Sequence, residues 1–178
     1  MCQESLIHYL ENELKKKVSQ EDIETLVQFG EMVVEHDSRV VSFGKEAKLD
    51  SYKLPNNVIQ NASALDTALA NIRVCDPAVG SGAFLLGMMI EIVRIRNALT
   101  SYLDDSSGQT SYDFKRHAIQ GCLYGVDIDL GASEICRLRL WLSLVVDEDD
   151  ISQIQPLPNL DYKIVQGNSL LEVEKDLY

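Results

Sequence analysis

The chain has 178 residues, 46% of them hydrophobic and 25% charged, with a formal net charge of −12. That is one globular domain's worth of sequence, long enough to bury roughly two-thirds of its unfolded surface. The acidic balance excludes a free-standing nucleic-acid binder, whose affinity comes from neutralising phosphates, so any DNA chemistry would need basic surface from another segment.

Residues 4–17 read as a helix, with Leu6, Tyr9, Leu10 and Leu14 on one face and three lysines in the last turn, where the helix dipole favours cations. Ser19 starts a second helix with Asp22 in the capping-box position, and Ile23, Leu26, Val27, Val33 and Val34 keep its apolar stripe. Residues 38–62 are polar and irregular, with Pro55-Asn56-Asn57 as a turn signal, and a short helix follows over 64–70. Ile72 to Cys75 is a short apolar run that ends at Asp76-Pro77 and a glycine-rich turn, and it reads as a strand. A helix from Ala83 to Leu99 is apolar nearly all round at its start, with Met88 and Met89 as core fillers. The run DDSSGQTSYD, 104–113, predicts a solvated loop.

Leu123 to Val126 is a second strand, ending at Asp127. Residues 131–146 form another helix, with Glu134, Arg137 and Arg139 on its wet side and Trp141 in the core. Asp147 to Asp150 is a solvated helix end, and Pro156 and Pro158 mark a loop. Tyr162 to Val165 is a third strand, ending in Gly167-Asn168-Ser169.

The order β-α-β-α-β predicts an α/β fold: parallel strands joined by right-handed crossovers, with helices on the sheet faces. The expected division is a helical segment over 1–71 and a ligand-binding part over 72–178, with the ligand at the carboxyl ends of the strands. Cys2, Cys75, Cys122 and Cys136 form no CxxC pair, and no His/Cys cluster has zinc-ligand spacing, so no metal site is expected. The thiols read as reduced and mostly buried, as in a cytoplasmic protein. Glu4, Glu11 and Glu13 argue against a signal peptide, and the apolar run from Ala83 to Ile90 is too short to span a bilayer.

The three strand ends carry the chemistry. Gly80 and Gly82 permit positive φ and close backbone approach in a turn that feeds straight into a helix, whose first N–H groups suit a carboxylate. Asp76 offers an acceptor for an ammonium group. Asp127 can accept from two ribose hydroxyls, Ile128 can lie against a purine face, and Asn168 can read an adenine edge. Each residue also has a plainer reading: an ordinary strand-to-helix turn for the glycines, a helix cap for Asp127, a turn residue for Asn168. A P-loop is excluded because no lysine follows the glycines, and the dinucleotide fingerprint fails because Leu85 stands where its third glycine belongs.

At DPAVGSGAF (76–84) the chain resembles the S-adenosylmethionine-binding motif of adenine-N6 DNA methyltransferases from restriction–modification systems. GVDID (125–129) is similar to their acidic ribose-binding motif, and PLPNLDYKIVQGNSLL (156–171) to the segment bearing the adenine-reading residue. MCQESLIHYL at the start resembles the helix that follows the family's Tyr-Thr-Pro motif. The resemblance is strongest to large fused restriction–methylation proteins of types IIG and IIS.

It implies a partial Rossmann-like class I methyltransferase sheet, its first three parallel strands, with an N-terminal helical segment. It also implies S-adenosylmethionine as cofactor, with contacts from Asp76, Ala78, Gly80, Ser81, Gly82, Asp127, Ile128 and Asn168. The Tyr-Thr-Pro motif and the catalytic Asn-Pro-Pro-Tyr/Phe motif do not occur in the 178 residues, so no catalytic residue is assigned and the chain by itself is expected to be inactive. DNA would be engaged through regions outside this chain. Strand 72–75 would be an open edge, covered by the helices of residues 4–37 or paired with a second copy. The rival readings are a methyltransferase of RNA or protein, and a non-catalytic interaction domain with a vestigial pocket.

Overall fold

Three parallel strands organise the second half of the chain: β1 (Val74–Asp76), β2 (Leu123–Asp127) and β3 (Ile164–Gln166), in spatial order β1-β2-β3. Val74 pairs with Leu123 and Asp76 with Gly125; Gly125 in turn pairs with Ile164 and Asp127 with Gln166. This is the α/β fold with a three-stranded parallel sheet that the sequence predicts. β1 and β3 begin two residues later than their apolar runs, because pairing with β2, not hydrophobicity, sets where the ladder starts. The computed structural model describes residues 1–14, 17–30, 54–103, 109–146 and 159–171. The expectations for Val33 and Val34, for most of 38–62, for Asp147 to Asp150 and for Pro156 and Pro158 lie outside them.

The chain divides into two compact units: Met1–Ile72 with Ile90–Phe114, and Arg73–Met89 with Lys115–Tyr178. The first is helical. It contains α1 (Cys2–Glu13), α2 (helical over 20–30), α3 (Asn56–Gln60), α4 (Ala62–Asn71) and the later part of α5 (Ala83–Thr100). Its core is the apolar stripes read from sequence: Leu6, Leu10, Ile23, Leu26, Leu65 and Leu69 are all fully buried. Ser19 caps α2, its Oγ accepting the Asp22 N–H at 3.2 Å.

Three local expectations are corrected in this unit. α1 stops at Glu13, so Lys17 lies beyond it and no basic residue occupies its last turn. Pro55 does not make a turn; it stands at the N-cap of α3, with φ −53° and ψ 140°, where a fixed φ and a missing N–H cost nothing. Of the loop expected over 104–113, residues 104–108 lie outside the described ones, and Thr110 instead leads into α6 (Ser111–His117). Thr110 Oγ1 accepts from the Asp113 N–H at 3.2 Å while Asp113 Oδ2 accepts from the Thr110 N–H at 2.8 Å, a reciprocal capping box.

A charged group is buried here as well. Arg96 forks onto Asp66, with Nε to Oδ1 at 2.7 Å and Nη2 to Oδ2 at 3.1 Å, and its guanidinium lies 4.3 Å from the Phe114 ring centroid. The paired carboxylate and the ring's negative face compensate the desolvation of the cation.

In the second unit α5 begins the crossover from β1, and a π-helical turn (Ala118–Cys122) leads from α6 into β2. α7 (Leu130–Val145) then crosses to β3. Asp129 caps α7, its Oδ1 accepting the Gly131 N–H at 2.7 Å. Ser133, Cys136, Leu140 and Leu144 form its buried face.

The opposite face carries Glu134 and Arg139 exposed, as expected, but it is largely apolar. It presents Ile135, Leu138 and Leu142, exposed by 54%, 52% and 45%. Arg137 is instead half-buried, donating from Nε and Nη2 to the Ile164 carbonyl at 3.0 and 2.6 Å, and Arg139 reaches Ser81. Long side chains travel to find acceptors, so a charge on a helical wheel does not mark the solvent side. Met88 and Met89 are buried as expected; Trp141 is half-buried, with its Nε1 lacking a partner among the described residues. Among the described residues no helix is long and apolar enough to cross a membrane.

Candidate functional site

The turn after β1 is fastened from several sides. Asp76 Oδ1 accepts the Ala78 N–H at 3.1 Å. The Val79 N–H donates to the Val126 carbonyl at 2.9 Å, and the Gly82 N–H donates to the Val79 carbonyl at 2.8 Å. Val79 thus lies buried over Gly125, where a Cβ would come within 2.8 Å of the Val79 Cγ2.

Both glycines of the turn have positive φ, +52° at Gly80 and +79° at Gly82, as the motif requires. They serve different ends. A Cβ on Gly82 would meet Cys136 Sγ of α7 at 2.5 Å, so this glycine permits close helix packing. A Cβ on Gly80 would meet nothing within 4 Å, so this glycine borders open space.

Asp127, at the end of β2, binds that same turn. Its Oδ2 accepts the Gly80 N–H at 2.7 Å and its Oδ1 accepts the Asp129 N–H at 2.9 Å. These backbone donors, Asp129 first and then Gly80, hold the carboxyl below its ordinary value, against the opposing effect of burial. The capping alternative for this residue falls away, because Asp129 does that work. Ile128 beside it is 70% exposed.

Asn168, past the end of β3, makes an Asx turn, with Oδ1 accepting the Leu170 N–H at 3.0 Å. The turn reading of this residue therefore holds, and its Nδ2 has no partner among the described residues. Next to it, Ser169 Oγ donates to the Pro77 carbonyl at 2.8 Å, closing the rim from β3 back to β1. Gln166 Nε2 donates to the Ile128 carbonyl at 3.2 Å.

Sequence reasoning missed Val79, Gln166, Ser169 and Arg139. Only Ser169, adjacent to Asn168 at a strand end, carried a signal that could have been read. All eight proposed contact residues lie at this one edge: Asp76, Ala78, Gly80, Ser81 and Gly82 in the turn, Asp127 and Ile128 after β2, and Asn168 after β3.

One detail of the expected donor set changes. The Gly80 and Gly82 N–H groups are already used, whereas those of Ser81, Ala83 and Phe84 have no acceptor among the described residues. They stand at the start of α5, where the helix dipole adds to their pull on an anion.

The thiol of Cys136, below the turn, is pushed up to about 11 by burial and then by the nearby Asp76 charge, so it stays protonated and inert at neutral pH. Cys122 is buried too, but Cys75 is exposed and Cys2 half-buried, so only two of the four thiols are interior. No group of three or more His, Cys, Asp or Glu among the described residues could hold a metal ion. The rim therefore offers two carboxylates, open N–H donors, an exposed apolar side chain and an amide.

Comparison with known proteins gives this arrangement a family. The chain is 33% identical over 172 residues to RM.MjaORFECS2P of Methanocaldococcus jannaschii, a type II restriction enzyme and methyltransferase by assignment; the match covers 92% of this chain and 14% of that protein. It is 29% identical over 118 residues to the type II restriction enzyme and methyltransferase RM.Eco57I of Escherichia coli, covering 60% of this chain and 12% of that protein. The chain thus spans about one-seventh of the length of these relatives. No solved structure matches it. Residues 52–172 match the model of the MmeI DNA-methyltransferase domain, and the chain belongs to that family.

Proposed function

We propose that this chain is the cofactor-binding region of a DNA adenine-N6 methyltransferase from a restriction–modification system, and that its cofactor is S-adenosylmethionine. The observation that carries the reading is the closed rim. The Gly80 N–H on Asp127 and the Ser169 hydroxyl on Pro77 join three strand ends around one edge, with open space above Gly80.

The donor set fits the group. The carboxylate of the methionine end meets the N–H groups of Ser81, Ala83 and Phe84, and its ammonium meets the unused oxygen of Asp76. Asp127 accepts the ribose hydroxyls, Ile128 covers the purine and Asn168 reads its edge. When bound, the cofactor supplies an electrophilic methyl group on sulfur; this chain's residues hold and orient it. We assign no catalytic residue within the 178.

DNA is the methyl acceptor in this reading, gripped by surface other than this acidic chain, in the cytoplasm. The side of β1 that faces away from β2 has no strand partner among the described residues, and there a further strand or a second copy would pair.

Calorimetry with S-adenosylhomocysteine, the demethylated product, tests the reading. Saturable binding at one site per chain is expected, together with no transfer of labelled methyl from S-adenosylmethionine to DNA by the chain itself. Absence of binding by both the product and S-adenosylmethionine would overturn the cofactor, and methylated DNA would overturn the lack of a catalytic residue.

A further inference from the structure

Behind the glycine turn, α7 touches it at two residues one helical turn apart. Cys136 lies where a Cβ on Gly82 would be, and Arg139 donates from Nη1 to both the carbonyl and the Oγ of Ser81, at 3.2 and 3.1 Å. Residues three apart on a helix are neighbours, so the two contacts act on one spot.

The Ser81 carbonyl and the Gly82 N–H share a single planar peptide. Arg139 ties its carbonyl end, and the Val79 carbonyl ties its N–H end at 2.8 Å. That peptide plane is thereby fixed in orientation. The N–H groups on either side of it, of Ser81, Ala83 and Phe84, are the ones without an acceptor among the described residues. The first two belong to the peptides that flank this plane and the third to the next one, so the way the plane is held constrains them.

We propose that Arg139 is a positioning residue for the amino-acid end of the cofactor. By clamping the Ser81–Gly82 peptide it aims the open N–H groups at the ligand carboxylate. Its guanidinium is exposed, so its charge is screened and its effect is geometric. The inference rests on the reading of the site as an S-adenosylmethionine pocket, and it adds a residue that neither motif contains.

A pair of ligands tests it. S-adenosylhomocysteine has the amino-acid end; 5′-deoxy-5′-methylthioadenosine keeps the nucleoside and drops that end. Arg139→Ala is expected to weaken S-adenosylhomocysteine about tenfold, the worth of one to two hydrogen bonds, while leaving methylthioadenosine within about twofold of wild type. Arg139→Lys, which can still reach a carbonyl with a donor, recovers part of the loss.

Equal weakening of both ligands would mean a general structural role and would overturn the proposal, as would unchanged binding of S-adenosylhomocysteine. If the unmutated protein bound neither ligand, the cofactor reading itself would fall; normal binding with an indifferent Arg139 would remove this inference alone.

Discussion

Gly82→Ala is expected to destabilise the protein by about 3 kcal/mol, and Gly80→Ala by only about 1 kcal/mol, although the two glycines stand two residues apart in the same turn. Both have positive φ, and the left-handed region costs an ordinary residue about 1–2 kcal/mol. At Gly80 that is the whole penalty, because a methyl group there meets nothing within 4 Å. At Gly82 the same methyl lies 2.5 Å from Cys136 Sγ and 3.3 Å from its Cβ, so α7 or the turn must shift, at a further cost of about 1–3 kcal/mol.

For a chain of this size the Gly82 variant should melt roughly 6–12 °C below wild type. Cys136→Ala in the same protein removes the closer clash and should return part of the loss, leaving the backbone term. Thermal and urea unfolding of the three variants measure this. Equal penalties at the two glycines would contradict the division of labour between them.

Asp127→Ala is expected to lower affinity for S-adenosylhomocysteine about a hundredfold, since in the proposed site two ribose hydroxyls would lose a charged acceptor. Asp127→Asn keeps one acceptor oxygen and should fall between. The pH dependence follows from the depressed carboxyl. Accepting two hydroxyls needs the ionised carboxylate, which the Asp129 and Gly80 N–H groups keep ionised to lower pH than usual. The wild-type advantage over Asp127→Ala should therefore be flat over roughly pH 5–8 and shrink only in more acid solution, below the usual carboxylate range. Titration calorimetry across that range checks both parts. Wild-type affinity in the Asp127→Ala protein would remove Asp127 from the site.

The residues in these two predictions could be picked out before any coordinates, although the Cys136 contact that separates Gly82 from Gly80 could not. DPAVGSG and GVDID are local patterns whose residue types answer local demands: positive φ at the glycines and a carboxylate where a strand runs out; the helix cap was weighed at Asp127 and lies two residues on, at Asp129. The same locality explains α1, α5 and α7, where apolar spacing sets the buried face.

What the pattern could not carry is the set of bonds between distant residues. Arg139 and Ser81 are 58 positions apart and Ser169 and Pro77 are 92 apart, and nothing in their neighbours' identities announces them. α3 was hidden because proline reads equally well as a turn and as a helix start. α6 was hidden because Thr110 and Asp113 sit in a polar run that resembles a loop, although their spacing is a capping box. The outer face of α7 was read in part: Glu134 and Arg139 are exposed as their charge suggests, but Arg137 turns in to the Ile164 carbonyl, and Ile135, Leu138 and Leu142 share the solvent side.

Amide chemical shifts on titration with S-adenosylhomocysteine test the central claim most directly, because they report on all three strand ends at once. The amides of Ser81 and Ala83, of Ile128 and of Asn168 should move together and saturate at one shared ligand concentration. Shifts confined to one strand end, or different midpoints at different ends, would contradict a single site built from all three.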